Sequence, residues 1–431
     1  MRRLSERLAL ARTVRQLGIQ DSGAVRLAHM LVSETVRRQN LIDKFINLTF
    51  KPGTIGDNEL GVQAFLRLYV YQTRIAKNWS NIDIEEAEKI ARLARSILGW
   101  KSLKEVEPFL GMLLTQKRTK VIENVTDEEQ MGLRTFHPTW FVKYCFNHFG
   151  RTEAINLLEA DSRKASTYIR LNTLKMSESE ILEKLEGEGV EAEKVEQLRY
   201  VYEVTGSIVP LARTASFKEG LFFAQDKASC FAGEAANPHP GMVVLDVCAA
   251  PGTKTTHLAQ LMQNRGSIYS VDYSKRRMEL WKGEVARMGV DIAEPVVADA
   301  CHTLPLSFEA DLVVLDPPCT GTGTFRRVPS AKWRLTTRSI DRMAEIQWQM
   351  LINCAKSVKR GGTLAYSTCS IAVEENEMHI ERFLKWNTEF SLIQTEPKIG
   401  LPGLRTLEKC QRLYPHIHQC NGFFIAKMLR G

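Results

Sequence analysis

Val243-Val244-Leu245-Asp246-Val247-Cys248-Ala249-Ala250-Pro251-Gly252-Thr253-Lys254 reads as an apolar strand, a turn of small residues and the opening of a helix. Small residues let the main chain approach a ligand closely, and a helix N-terminus offers unpaired N–H groups. The stretch carries neither G-x-G-x-x-G nor a phosphate loop ending in G-K-[ST]. It places a carboxylate, Asp246, inside the turn, which suits a cationic or zwitterionic ligand better than a pyrophosphate. Cys248, Ala249, Ala250, Pro251, Gly252, Thr253 and Lys254 are therefore the first candidate ligand-binding residues.

The same strand-then-helix rhythm continues on both sides. Strands are expected at residues 242–247, 267–271, 294–298, 311–315 and 363–367, the last preceded by Gly361-Gly362. Alternation of this kind builds βαβ units and a mostly parallel sheet, whose ligands sit at the carboxyl ends of the strands. Asp272 closes the second strand, where a carboxylate can accept both hydroxyls of a ribose, and Arg277 follows it in the next helix. Asp299 closes the third and is placed to accept from an adenine amino group. A single Asp at a strand end is more often a cap or turn residue, but three at successive strand ends reverse that ranking.

Two cysteines occupy the next two strand ends. Asp316-Pro317-Pro318-Cys319 follows the fourth strand, and Ser367-Thr368-Cys369-Ser370 the fifth. Two prolines stiffen the first turn. A lone Cys at such a position is usually a packed hydrophobe. Two on neighbouring strands can face one cleft. Ligands for a metal are lacking at plausible spacing, and no metal is expected.

Upstream, residues 126–205 read as a small α/β segment. A helix opens at His137-Pro138-Thr139-Trp140 and ends at Gly150, a strand covers 167–171, and a helix starting after Ser177 reaches residue 188. Residues 1–125 read as all-helical. Leu8, Ala11, Val14 and Leu17 recur at helical spacing, as do Leu27, Met30, Leu31 and Val36, with breaks at Lys51-Pro52-Gly53 and Gly56-Asp57-Asn58. The catalytic part is expected to run from 206 to 431.

The chain has 431 residues, 44% hydrophobic and 25% charged, an ordinary globular mixture. Its net charge of +8 is unevenly placed, with 21 Lys+Arg against 13 Asp+Glu in residues 1–125 and balance elsewhere. A basic module joined to a neutral one points to a polyanion partner for the first. The nine cysteines are scattered, and neither a signal peptide nor an apolar span is apparent. A reduced, cytoplasmic, monomeric protein is the expectation.

The motifs also carry a resemblance. Residues 246–255, Asp316-Pro317-Pro318-Cys319, and Ser367-Thr368-Cys369-Ser370 followed by Glu374-Glu375-Asn376-Glu377 resemble the signature of the Nop/Sun RNA cytosine-5 methyltransferases. Flanking matches are Arg170-Leu171-Asn172, Phe223-Ala224-Gln225-Asp226-Lys227-Ala228-Ser229 and Gly422-Phe423-Phe424-Ile425-Ala426. The likeness covers roughly residues 130–431. The chain departs from the pattern at Thr253, Val373 and Asn421, where the family usually has Gly, Pro and an acidic residue.

The resemblance implies an α/β Rossmann-like class I methyltransferase domain with S-adenosyl-L-methionine as cofactor. It implies that Cys369 is the nucleophile and that Cys319 assists release of the product. Asp316 is then placed both to meet the cofactor and to protonate the cytosine N3 edge. The helical part resembles, more weakly, the NusB-like module of the bacterial Sun ribosomal RNA enzymes, which favours ribosomal RNA over transfer RNA. Arg326, Arg327, Lys332 and Arg334 follow Cys319 with an aromatic among them and, with Arg170, are the candidate RNA-binding residues. An amino-group methyltransferase would carry an aromatic residue where Cys319 stands. An assembly factor with a degenerate enzyme domain would be expected to have lost one of Cys319, Cys369 or Asp316.

Overall fold

A computed structural model describes residues 6–50, 53–79, 83–123 and 125–431. Lys51 and Pro52 of the first expected break lie outside the described residues. The chain divides into two compact units: residues 1–163 with 325–334, and 164–324 with 335–431.

The first unit is helical. Its framework includes helices Ser22–Arg37, Gln39–Thr49, Leu60–Val70, Ile84–Leu98 and Glu107–Thr115. Ile42, Phe45 and Ile46 lie on one face of Gln39–Thr49 and share a buried cluster with Val62, Leu66, Val70 and Leu113. Each such side chain contributes about 1.5–3 kcal/mol on burial. Asp21 caps Ser22–Arg37 by accepting from the Gly23 amide, and Asp83 caps Ile84–Leu98 by accepting from Glu86.

Two expectations change here. Leu8, Leu27 and Met30 do sit on helices and Leu17 falls in the turn after Glu6–Gln16, but all four remain exposed. Periodicity identifies a helical face, not what covers it. The compact units also divide at Arg163 and Lys164, not at residue 125. Helices Asp127–Thr135, Thr139–Phe149 and Arg151–Asp161 pack with the helical unit. So does the strap 325–334: the Phe325 ring lies 4.9 Å from that of Phe141, and Trp333 Nε1 donates to the Val36 carbonyl at 2.6 Å.

The second unit holds two sheets. Strands β1 (Thr167–Leu171), β2 (Val190–Lys194), β3 (Val201–Ser207) and β4 (Phe222–Ala224) form an antiparallel sheet in the order β2-β3-β1-β4. The helix Glu178–Gly187 beside it begins with a capping box between Ser177 and Glu180.

The larger sheet contains β5 (Val243–Val247), β6 (Ser267–Asp272), β7 (Ala293–Val297), β8 (Ala310–Leu315), β9 (Val358–Thr368), β10 (Phe390–Ile393), β11 (Leu401–Pro402), β12 (Gln411–Leu413) and β13 (Phe423–Arg430). Its order is β11-β12-β13-β9-β8-β5-β6-β7, with β10 paired to β13. Strands β7 to β9 through β5 are parallel, and β13 runs antiparallel to β9. The central β5 and β8 are nearly continuous apolar runs because both faces of a parallel sheet are covered. Chain order reverses between β6 and β8 on either side of β5, which opens a crevice at the carboxyl ends there.

Strand β9 is longer than its apolar run, since Gly361 and Gly362 lie inside it and not before it. The register with β8 shifts between Ala310 and Leu312. At Gly362 an added Cβ would stand 2.9 Å from the Lys359 carbonyl oxygen and 3.0 Å from that of Asp311, so the irregularity needs a glycine.

Candidate active site

The turn after β5 shows how the small residues are used. Cys248 has φ +65°, and the Ala249 amide donates to the Val271 carbonyl at 3.0 Å. Gly252 has φ +110° and caps the helix Thr253–Leu261. Its added Cβ would stand 3.3 Å from Trp281, so both conformation and space call for glycine. Trp281 Nε1 donates to Thr255 Oγ1 at 2.9 Å, and that hydroxyl donates to Asp246 Oδ2 at 2.6 Å. Asp246 is buried and fastens the helix to the strand. Burial pushes its carboxyl up to about 7 against the pull of Thr255 and Lys254.

Lys254 Nζ meets Asp316 Oδ2 at 2.5 Å, and Ser367 Oγ donates to Asp316 Oδ1 at 3.1 Å. One carboxylate thereby links the turns after β5, β8 and β9. Burial opposes the charge on Lys254, but Asp316, Asp246 and Cys369 outweigh it and raise the ammonium above its ordinary range. Cys369 thus has a protonated lysine as a neighbour.

Cys319 Sγ and Cys369 Sγ lie 3.2 Å apart. Cys319 is held well above the ordinary thiol range, first by its hydrogen bond to Cys369, then by burial and by the charges of Cys369, Glu375 and Asp316. The Gly323 amide donates to the Cys369 carbonyl at 3.0 Å, and Gly422 donates to the Gly323 carbonyl at 2.8 Å.

A cleft of about 270 Å³ joins these parts. It is lined by the 248–251 turn, Thr253, Lys254, Asp316 and Cys369, all singled out from the sequence, and by Asp226, Ser229, Thr324, Asn421 and Phe423. Most of the second group lies in the flanking motifs that match the family, so their signal was present but had no assigned role. Asp226 caps the helix Lys227–Ala236 and also accepts from the Asn421 amide, which ties that helix to the entrance of β13.

Asp272 is buried at the end of β6. Its Oδ1 accepts from the Ser274 amide at 3.0 Å. Its Oδ2 takes no hydrogen bond and lies 3.1 Å from Arg277 Nη1. Arg277 also donates to the Ala250 carbonyl. An oxygen that is ion-paired but receives no hydrogen bond keeps a lone pair for a ligand hydroxyl. Asp272 therefore fits a ribose hydroxyl, and the 248–254 turn fits the amino-acid end of the same molecule. Asp299 is half-exposed beyond β7, accepts from the Cys301 amide at 3.0 Å and pairs with His302 at 3.5 Å.

The candidate RNA-binding residues divide. Arg170 is fully buried, donating to Gln225 Oε1 at 2.8 Å and to Thr256 Oγ1 at 2.9 Å. It braces the helix after Gly252 and does not face a phosphate. Lys332 is fully buried and Arg326 nearly so, both inside the helical unit. A charge run beside a catalytic turn looks solvated in one dimension, yet here the strap is packed. Arg327 is half-buried and Arg334 is exposed.

A Rossmann-like sheet with a small-residue turn, a buried acid at the second strand end and a lysine–aspartate pair over paired cysteines defines an S-adenosylmethionine-dependent methyltransferase. Comparison with known proteins places it more closely. The family description 16S rRNA methyltransferase RsmB/F matches residues 234–429, and its ferredoxin-like domain matches residues 137–205. The probable ribosomal RNA small subunit methyltransferase B of Bacillus subtilis is 31% identical over 96% of this chain and 91% of its own length. The crystal structure of PH0851 superposes with a TM-score of 0.82 at 31% identity, covering 97% of this chain and 93% of that one. NSun6 from Pyrococcus horikoshii with SFG, an analogue of S-adenosylmethionine, superposes at 0.63 with 26% identity, covering 68% of this chain and 98% of that one. The chain belongs to the RsmB/F methyltransferase family.

Proposed function

We propose that this enzyme methylates carbon 5 of a cytosine in ribosomal RNA through a covalent bond between Cys369 and carbon 6. The observation that carries the reading is the pair of sulfurs 3.2 Å apart, of which that of Cys369 belongs to the lining of the cleft together with Lys254 and Asp316. Carbon 5 of cytosine is too weak a nucleophile to take a methyl group directly. A thiolate added to carbon 6 makes it enamine-like. Lys254 is a positive charge in the same cleft as the attacking sulfur of Cys369. S-adenosylmethionine supplies an electrophilic methyl group when bound. Asp272 and the 248–254 turn hold that molecule, and Asp316 faces the polar edge of the base.

Restoring the pyrimidine requires loss of the carbon 5 proton and departure of the Cys369 sulfur. We assign this stage to Cys319. Cys319 passes its thiol proton to the departing Cys369 sulfur across their hydrogen bond and takes the carbon 5 proton in its place, so that both thiols are restored. Attack and release are then separate duties of adjacent residues.

Ribosomal RNA is favoured by the relatives with the most coverage, among them the Bacillus subtilis protein. Transfer RNA is the second reading, because a tRNA (cytosine(72)-C(5))-methyltransferase of Pyrococcus horikoshii is 36% identical over 51% of this chain. The helical unit, with exposed Arg7, Arg12, Arg15 and Arg26, is assigned to RNA affinity in the manner of a NusB-like module. Among the described residues no helix is long and apolar enough to cross a membrane. We assign the enzyme to the cytoplasm as a monomer. Mapping 5-methylcytidine in ribosomal and transfer RNA with and without the gene tests the reading. Loss of a ribosomal site supports it, loss confined to transfer RNA selects the second reading, and an unchanged map refutes both.

A further inference from the structure

Glu375 lies outside every step above. Its carboxylate is completely buried and takes donors on both oxygens. Oε1 accepts from Ser370 Oγ at 2.6 Å and from Thr320 Oγ1. Oε2 accepts from the Thr320 amide at 2.9 Å and from Gln347 Nε2 at 2.8 Å. Thr320 follows Cys319 in the chain, and Ser370 follows Cys369. One side chain therefore grips the residue after each cysteine. Gln347 donates its other amide hydrogen to the Pro318 carbonyl at 3.0 Å, so the Cys319 turn is held on both sides. Tyr366 closes the set, donating to the Glu375 carbonyl at 2.8 Å.

A buried carboxylate that merely satisfied nearby polar groups could draw its donors from anywhere. Here three of its four donors belong to the two residues that follow the cysteines. Charge-assisted bonds of this kind are short and directional, and a network with every member paired specifies one geometry. An apolar side chain in this place would leave the Thr320 amide and one Gln347 hydrogen buried and unpaired, and the Thr320 and Ser370 hydroxyls with only each other and Thr322.

We propose that Glu375 is the positioning residue of this site, joining the Cys319 and Cys369 turns so that the sulfurs keep their separation and attack is reserved for Cys369. The inference rests on the reading of Cys369 as the nucleophile. The negative charge of Glu375 also helps keep the proton on Cys319, after the larger effects of the Cys369 hydrogen bond and burial. Cys319 then enters the cycle as a thiol while its neighbour reacts.

The test uses the full-length enzyme and Glu375→Gln. Glutamine offers one acceptor oxygen and one donor group, so it cannot accept all four bonds. The first readout needs no RNA: the rate at which iodoacetamide alkylates each cysteine as a function of pH, followed by peptide mass spectrometry. In Glu375→Gln, Cys319 should react about tenfold faster near pH 8, the effect of about one pKa unit from a removed neighbouring charge. Calorimetry should give S-adenosylmethionine affinity within about twofold of wild type, since Glu375 does not line that cleft. Thr320→Val removes one donor only and should move Cys319 in the same direction by less. It also decides the matter if Glu375→Gln fails to fold. Unchanged Cys319 profiles in the folded variants would overturn the inference.

A second readout is covalent trapping on a small-subunit ribosomal RNA transcript made with 5-fluorocytidine. Glu375→Gln should slow trapping about tenfold or more at saturating RNA with little change in half-saturation. Wild-type trapping at an unchanged rate in the variant also counts against the clamp. Absence of trapping in the wild type would overturn the assignment of Cys369 instead, while the alkylation profiles still judge Glu375.

Discussion

Two buried cations in this chain are held in opposite ways. Arg412 on β12 is 1% exposed and meets Glu377 through both carboxylate oxygens, with Nε at 2.6 Å and Nη2 at 2.5 Å. Its Nη1 donates to the Ile371 carbonyl at 3.0 Å, two residues past Cys369. Lys332, on the strap 325–334, is equally buried, but its Nζ makes no hydrogen bond and sits 5.0 Å from the Trp333 ring centre. Burial drives its ammonium well below the ordinary lysine range, helped by the charge of Arg37. Asp161 in the same unit is completely buried with neither carboxylate oxygen hydrogen-bonded, and burial pushes its carboxyl up to about 7. The difference separates two uses of burial. Where a charge is paired and bonded it fixes a main-chain atom of the catalytic loop. Where it is not, the groups shed charge and the side chain serves through its hydrocarbon stem.

The largest effect tests what the paired network serves. Cys369→Ala should lower methylation by at least about 10³-fold and abolish trapping on 5-fluorocytidine RNA, with the melting temperature almost unchanged. Cys319→Ala should instead accumulate a covalent adduct on ordinary RNA in denaturing gels. Adduct in the Cys369 variant and not in the Cys319 variant would reverse the two roles.

Arg412→Met should cost about 3–5 kcal/mol in denaturant unfolding, because it leaves Glu377 buried without its partner. A loss below about 1 kcal/mol would break the distinction between the two cations.

The unpaired cluster predicts a pH effect. The carboxyl of Asp161 is raised in the folded protein, so its stabilising contribution is complete below the unfolded value near 4 and is lost as pH rises through about 7. Compared with Asp161→Asn, the wild type should lose roughly 2–4 kcal/mol of stability across that interval. Parallel stability curves would show that Asp161 stays ionised.

Lys332→Met should give the smallest change, within about 1 kcal/mol of wild type or slightly more stable, as expected when a buried unpaired amine is replaced by an apolar chain of similar length. A loss as large as that of Arg412→Met would show that Lys332 is a charged partner after all.

The parallel part of the sheet and the walls of the cleft were legible because they depend on local patterns. Residues 242–247 and 311–315 are apolar runs of strand length, and glycine, aspartate and cysteine mark their ends. Among the antiparallel strands β10 to β13, none of them assigned, Leu401–Pro402 and Gln411–Leu413 are too short to show a period and take their place only by pairing. Arg170, Arg326 and Lys332 misled for a related reason. Charge in a sequence signals water unless a partner or a long apolar stem removes it from the surface, and the Gln225 and Thr256 acceptors of Arg170 are 55 and 86 residues away. The strap was read as part of the catalytic region because of its place after Cys319, whereas packing assigns it to the helical unit.

The crossing of Gly323 and Gly422 limits which genetic changes this enzyme can absorb. A Cβ on Gly323 would stand 2.0 Å from the Gly422 oxygen, and one on Gly422 would stand 2.6 Å from Ile371 Cγ2 and 2.9 Å from the Gly323 Cα. The obstacle at Gly323 is main chain, which no rotamer change relieves. Every missense codon at that position therefore inserts atoms where the backbone already is, whatever the chemistry of the new residue. In a saturation library selected for methylation, Gly323 should form an empty column. Gly361, whose added Cβ would meet open space, should fill with at least its asparagine and aspartate variants despite its positive φ.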